Sequence, residues 1–209
     1  TAVGSKTLFS NTIGRFNTAL GFHTLKDNVS GDYNTAIGKQ ALESNTTGYN
    51  NVALGDDALF INTIGHGNIA VGRNALFFNT SGIKNIGIGS EALSDNISGN
   101  ANVAIGDSSL YKNTASFNTA IGGKSLLENV SGALNTAIGV SALRKNIDGS
   151  YNTANGAEAL SNNLSGVENT ALGYYSSRNI TIGSFNTAIG SRSLSSNVNG
   201  NSNVAIGHQ

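Results

Sequence analysis

"NTAIGKQALESNTTGYN", residues 34–50, is one turn of a pattern that runs the length of the chain. Its first five letters return verbatim at 118–122, 135–139 and 186–190, with near-copies between them. The Gly that closes each copy falls at Gly4, Gly21, Gly38, Gly55, Gly72, Gly89, Gly106, Gly122, Gly139, Gly156, Gly173, Gly190 and Gly207. Every interval has the same length as that from Gly21 to Gly38, except that from Gly106 to Gly122, which is one residue shorter. There "NTASFN" (113–118) has lost the residue before Ser116. A period this strict is the mark of a solenoid, in which each repeat buries its apolar face against the next.

Comparison between repeats separates the columns. A leading Asn is kept at Asn17, Asn34, Asn51, Asn68, Asn85, Asn102, Asn118, Asn135, Asn152, Asn169, Asn186 and Asn203. A second Asn (Asn11, Asn28, Asn45 and onward) fails only at Ile180, and a Leu (Leu8, Leu25, Leu42 and onward) only at Ser177. The aliphatic residue before Gly fails only at Asn155. The pair after that Gly varies freely, as in Lys39-Gln40, Asp56-Asp57 and Tyr174-Tyr175, and is expected to face solvent.

No 3.6-residue period is sustained, and Gly twice per repeat opposes helix. Short, β-branched, Gly-bounded runs such as "NTAIG" and "NVALG" predict strand. The "ALxxN" half is open between a second strand and a helical turn, with a bent strand preferred. The expected fold is therefore all-β: a parallel β-solenoid of 17-residue coils, about twelve of them, each with two short strands and two Gly corners. At ~4.8 Å per coil the stack is expected to reach roughly 55–60 Å. Identical Asn side chains one coil apart can donate and accept along a ladder. The absence of Pro fits, since Pro would remove an inter-coil donor.

Neighbouring strand residues point to opposite faces. Ala and the following Ile therefore face apart, yet both columns are apolar. An isolated coil needs only one apolar face, so the second is expected to be covered by a partner. Small Ala suits a thin interior. That leaves Ile37, Leu54, Val71, Ile88, Ile105, Ile121, Ile138, Leu172, Ile189 and Ile206 outside, as candidates for the core of a homotrimer around a symmetry axis.

The N-[TV]-A-[IL]-G unit resembles the head repeats of trimeric autotransporter adhesins. The longer "ALxxNTTGxxNTAIG" form is similar to repeats of phage tail-fibre and bacterial adhesive-fibre proteins, many of which end in a self-cleaving intramolecular chaperone. The resemblance covers essentially the whole chain. It implies a left-handed β-roll, trimerised about its long axis, in an extracellular fibre on a cell surface or a virion tail. Those heads usually have a shorter repeat, so the 17-residue period puts the loop half in doubt, and handedness rests on the resemblance alone. No anchor or chaperone segment is found. Residues 1–209 read as a single repeat domain, begun and ended within a repeat, as in a segment of a longer fibre.

Composition restricts the chemistry. Charged residues make up 11%, against about 25% in an ordinary domain, and the formal net charge is zero. Gly reaches 27 and Asn 31, with no Cys. No Lys/Arg cluster offers a nucleic-acid footprint or a basic membrane surface. No apolar run approaches the length of a bilayer span and no signal peptide is found, so no membrane insertion is expected of this segment. Without Cys there is neither a disulfide framework nor a thiolate metal site. His23, His66 and His208 lie far apart in variable columns. "GGKS" (122–125) has Asn118 where a phosphate-binding loop needs Gly. "GIG" (87–89) lacks the rest of a dinucleotide motif. Asp56-Asp57 and Asp107 show no recurring Ca²⁺ spacing. Neither a cofactor nor an enzyme is expected. Seven N-x-[ST] sequons, at Asn28, Asn45, Asn79, Asn96, Asn129, Asn163 and Asn179, fall on or beside the structural Asn column.

Two irregularities carry site expectations. Asn155 would bring three amides together at a trimer axis, to hold water or an ion or only to fix register. "GYYSSRNITIG" (173–183) loses the Leu and Asn columns together and exposes Tyr174 and Tyr175 near Arg178, residue types that anchor contacts to a protein or glycan receptor. The alternative is a coil that packs its own Tyr rings. The function expected is a structural or adhesive fibre segment that attaches to, or spaces, a target surface. A monomeric ice- or surface-binding solenoid would need aligned Thr ranks, which Val and Ile interrupt here. A carbohydrate-active fibre enzyme would need paired carboxylates on one face, and none recur.

Overall fold

The computed structural model describes residues 1–208 and is all-β, one short strand per coil. The chain divides into two compact units, 1–102 and 103–209. The first holds β1 (Ala2–Val3), β2 (Thr18–Leu20), β3 (Thr35–Ile37), β4 (Val52–Leu54), β5 (Ile69–Val71) and β6 (Ile86–Ile88). They pair in sequence order, all parallel, Ala on Ala and Ile on Leu, with Gly87 once in the Ala column.

The second unit holds β7 (Val103–Ile105), β8 (Thr119–Ile121), β9 (Thr136–Ile138), β10 (Thr153–Asn155), β11 (Thr170–Leu172), β12 (Thr187–Ile189) and β13 (Val204–Ile206). The pairing rule is the same. Each unit is thus a parallel β-solenoid. The one short coil keeps register, Val103 against Thr119 and Ile105 against Ile121. Its missing residue is absorbed at the corner after Asn113, whose amide donates to Ala115 O (2.8 Å) instead of to a Gly carbonyl three residues on.

The core is narrow. Strand Ala residues point inward at 0–1% exposure in all but the outermost coils, and the Leu column from Leu25 to Leu160 is fully buried. Each buried Leu contributes about 1.5–3 kcal/mol over an exposed one. Inner Ala and outer Ile thus take the faces that the alternation requires.

The "ALxxN" half corrects the expectation of a second strand. It is a run of overlapping turns in which Leu sits at φ 48–55° and the second residue of the variable pair at about 52–60°. Turn bonds such as Asn45 N–H to Leu42 O (3.2 Å) alternate with bonds to the next coil, such as Leu42 N–H to Ala58 O (3.0 Å). Left-handed backbone costs a side-chain-bearing residue roughly 1–2 kcal/mol. Burial of the Leu and satisfaction of its N–H offset that cost. A propensity argument cannot foresee it.

The two Gly columns serve different ends. The Gly that closes the strand sits at φ 121–143°, where a side chain is strained, as at Gly122 (φ 123°). The Gly three residues after the second Asn is not left-handed. It is small because a Cβ at Gly65 would lie 2.6 Å from Gly82 O and against the Asn62 amide. Of the two Gly corners, the first alone requires φ > 0.

Candidate functional site

Outside the end coils both Asn columns are buried, and they are bonded coil to coil in different ways. In the second column the side chains bond to each other: Asn45 Nδ2 donates to Asn28 Oδ1 (2.7 Å) and to Gly48 O (2.9 Å), and Asn62 Nδ2 donates to Asn45 Oδ1 (2.8 Å). In the leading column the side-chain oxygen accepts the next Asn's backbone N–H, as Asn34 Oδ1 does from Asn51 (3.0 Å). Its amide meanwhile donates to the Gly carbonyl of the following corner, Asn34 to Gly48 (2.9 Å). The pattern holds for Asn51, Asn68 and Asn85 in the first unit, with Asn102 at its end. It holds for Asn118, Asn135, Asn152, Asn169 and Asn186 in the second, with Asn203 last. Buried amides are thereby satisfied without water, Asn163 Oδ1 excepted, and a one-coil slip is opposed wherever a column is interrupted.

The outer strand column lies on the surface. Ile37, Ile88, Ile105, Ile121, Ile138 and Ile189 are 37–40% exposed. Leu54, Val71 and Leu172 are half-buried, and Ile206, in the last coil, is more open. Asn155 stands in the same row, exposed, between Ile138 and Leu172 on the adjacent strands. The residue after the second Asn, which comparison of the repeats did not single out, is also outward, apolar at Val29 and Ile97 in the first unit and at Val130, Ile147, Leu164 and Val198 in the second, and Thr in the other coils.

The segment 174–180 brings its flagged residues together. Tyr174 is 47% exposed, and its ring stacks on Tyr175 with centroids 3.9 Å apart. Tyr175 is half-buried in left-handed backbone (φ 58°), so the two rings do not share one open environment as the variable-pair reading implied. The Arg178 guanidinium lies 4.4 Å over the Tyr175 ring. Its Nε faces Glu158 Oε2 at 2.9 Å, an ion pair without the alignment of a hydrogen bond. The Tyr175 hydroxyl donates to Glu158 Oε1 (3.3 Å). A hydrogen bond with Tyr174 first, then burial and the Glu158 charge, push the Tyr175 phenol above its usual range and keep it a donor. Arg178, Asn179, Arg192 and Ser195 join Tyr175 around a surface cleft of about 230 Å³. Sequence reading missed Glu158, Asn179, Arg192 and Ser195. The signal was there: Glu158, Tyr175 and Arg192 share one column, each a single coil from the next.

The other candidates resolve locally. His23 stacks on Phe22 (3.9 Å) and meets Glu43 (3.3 Å), which also pairs with Lys26 (3.0 Å). Burial alone would raise the Glu43 carboxyl, but the hydrogen bond from Lys26 and others outweigh it and hold the carboxyl below its usual range. Burial, then Asp56, raises Asp57. His66 stacks on Tyr49 (4.4 Å), and His208 is exposed. In "GGKS" the Ser125 hydroxyl donates to Gly122 O (2.7 Å), an ordinary coil turn. Among the described residues no three His, Asp or Glu side chains converge as a metal site would need. Six of the seven sequon Asn are fully buried, with Asn179 alone exposed.

No family model matches the chain, and neither does any curated protein or solved structure.

Proposed function

We propose that this chain is a structural and adhesive segment of a fibre, assembled from three copies and displayed outside the cell or on a virion tail, which attaches to or spaces a target surface. One observation carries the reading. The strands bury their small inward residue and turn a large aliphatic one outward, coil after coil, with six of the Ile side chains 37–40% open. A row of Ile, Leu and Val is a surface that water disfavours and a second copy of the same row would cover. Three identical rows around an axis satisfy one another and leave none over. Around such an axis three Asn155 amides form a single polar layer, able to hold water or an ion and to fix register. The zero net charge and the satisfied ladder suit a spacer, and repeated weak contacts on several copies supply avidity. The sequence resemblance to trimeric adhesin heads and tail fibres supports the same reading and is the source of the extracellular placement.

Light scattering on a size-exclusion column tests it. The expected mass is three times that of the 21.3 kDa chain. A stable 21.3 kDa species at micromolar concentration overturns the assembly, and surface or ice binding by a lone solenoid becomes the reading to test.

A further inference from the structure

We infer that the cleft between Tyr175 and Arg192 is a binding site for a carboxylate-bearing sugar, a hexuronate or similar acid, and that this is the chain's attachment chemistry. The inference rests on the adhesive reading above and gives it a ligand class.

The cleft is lined by two guanidinium groups, those of Arg178 and Arg192, and by no carboxylate; Glu158 backs it. Glu158 faces Nε of Arg178 and takes the hydroxyl of Tyr175, which holds the Arg178 plane against the Tyr175 ring. With Nε turned to Glu158, the two terminal nitrogens of Arg178 meet no partner among the described residues. Arg192 is exposed, its backbone fixed by a bond from its N–H to Tyr174 O (2.8 Å), and its guanidinium likewise has no partner among the described residues. Asn179 is locked between coils, accepting from Asn162 (3.2 Å) and donating to Ser195 O (2.8 Å). The floor is thus preorganised, and one positive charge remains uncompensated. Planar guanidinium forks favour a carboxylate, which two of their N–H groups can grip at once.

The second half of the recognition is Tyr174, which does not line the cleft itself but stacks on Tyr175 of its wall. Its ring is open to solvent on a rigid stack, a platform for the C–H face of a sugar ring. At about 230 Å³ the cleft is smaller than the usual drug-sized pocket of about 300 Å³ or more and suits a single monosaccharide unit. The same coil is the one that gives up both structural columns. Ser177 replaces Leu, and its hydroxyl is buried without a partner one residue from Arg178. A coil selected only for stacking would have no reason to carry that cost beside an aromatic–arginine cluster.

The test is titration calorimetry of the whole chain with a trigalacturonate, with its methyl ester as the neutral counterpart, and with a sulfated oligosaccharide. The free acid is expected to bind and the ester to bind about tenfold or more weakly, as loss of charge-assisted bonds implies. Arg192→Gln, which breaks no side-chain bond among the described residues, is expected to weaken the acid by a similar factor, and Tyr174→Ala by several-fold, with the mass of the assembly unchanged. Equal binding of acid and ester, an Arg192→Gln variant that binds like the parent, or no binding of the acid at millimolar concentration overturns the site. Preference for the sulfated probe overturns the carboxylate-sugar assignment. Uronate binding by a 21.3 kDa monomer would keep the cleft and remove the fibre. A trimer blind to uronate would do the reverse.

Discussion

Two coils of the second unit, Asn135–Tyr151 and Asn169–Phe185, share one backbone and differ in what fills it. Their strand halves are equivalent. Ala137 and Ala171 are fully buried, and Gly139 and Gly173 both sit near φ 130°. Asn135 and Asn169 each accept the next Asn's N–H at 2.9–3.0 Å. The turn halves part company. Leu143 and Asn146 in the first become Ser177 and Ile180 in the second, all four buried. Ser177 keeps Leu's left-handed backbone (φ 49°) and its bond to the next coil, donating to Ser193 O (2.8 Å). The amide ladder, however, stops. Asn163 Nδ2 still reaches Asn146 Oδ1 (2.7 Å), but Asn163 Oδ1 has no donor above it. Beyond the gap Asn197 turns its oxygen to the Gly200 N–H (2.8 Å) instead. The strand half is therefore the invariant frame. The turn half can be exchanged, at a local cost, where a coil carries other chemistry.

The largest effect is expected where the two coils agree. Gly139→Ala and Gly173→Ala each force a Cβ to within 2.7 Å of the next coil's backbone at a left-handed angle. Both should cost about 3 kcal/mol or more, and to a similar degree, in denaturant unfolding. A mild effect at Gly173 alone would show that the irregular coil has loosened its strand half as well.

Asn146→Ala should follow. It removes bonds to Asn129 and Gly149 and takes away the acceptor of Asn163. Each buried group left unpaired costs about 1–3 kcal/mol, so a loss of about 3 kcal/mol is expected. Ile180→Ala, outside the ladder, should behave as a plain cavity of about 2–5 kcal/mol that grows with the void left behind. The two are told apart by Asn146→Leu, which should rescue little although it refills the volume.

Repair sharpens the contrast. Ser177→Leu with Ile180→Asn restores both columns and gives Asn163 Oδ1 a donor. We predict a gain of about 1–3 kcal/mol for the pair. Ser177→Leu alone should overfill the coil and Ile180→Asn alone underfill it, giving a coupling of about 0.5–3 kcal/mol in a double-mutant cycle. Additive single effects would mean the two columns fail independently. The repaired chain should also lose uronate affinity if the altered turn shapes the cleft.

The smallest effect concerns the outer row. Asn155→Ile completes the aliphatic column. If copies cover that column, the assembled state should gain about 1–2 kcal/mol, read as a higher melting temperature. An unchanged transition would place Asn155 in water.

Much of this was legible because the chain supplies its own comparison. Thirteen copies of one Gly set the period, and the alternation of Ala and Ile sets which face is inward. Asn34 and Asn45 were legible as ladder positions, though not their two bonding modes, since an amide can use oxygen, nitrogen or both. The turn half was not legible, because left-handed Leu42 contradicts its own backbone preference and is held there by burial and a bond to the next coil. Of the cleft, Tyr174, Tyr175 and Arg178 stood out as departures from the repeat. Glu158 and Arg192 did not, since each sits in a column where variation is the rule and only stacking brings them together.

If three copies assemble as proposed, the outer strand row is covered, and thiol labelling reads that directly. The chain has no Cys, so one thiol can be placed at will. Ile138→Cys puts it in the outer row and Ser131→Cys at an exposed polar corner of the preceding coil. Both positions are open in a single chain. A bulky maleimide is expected to modify the thiol at position 131 at the rate of a free thiol, and the one at position 138 only after denaturation or dissociation to monomers. Equal, rapid labelling of both in the native state would contradict a covered row.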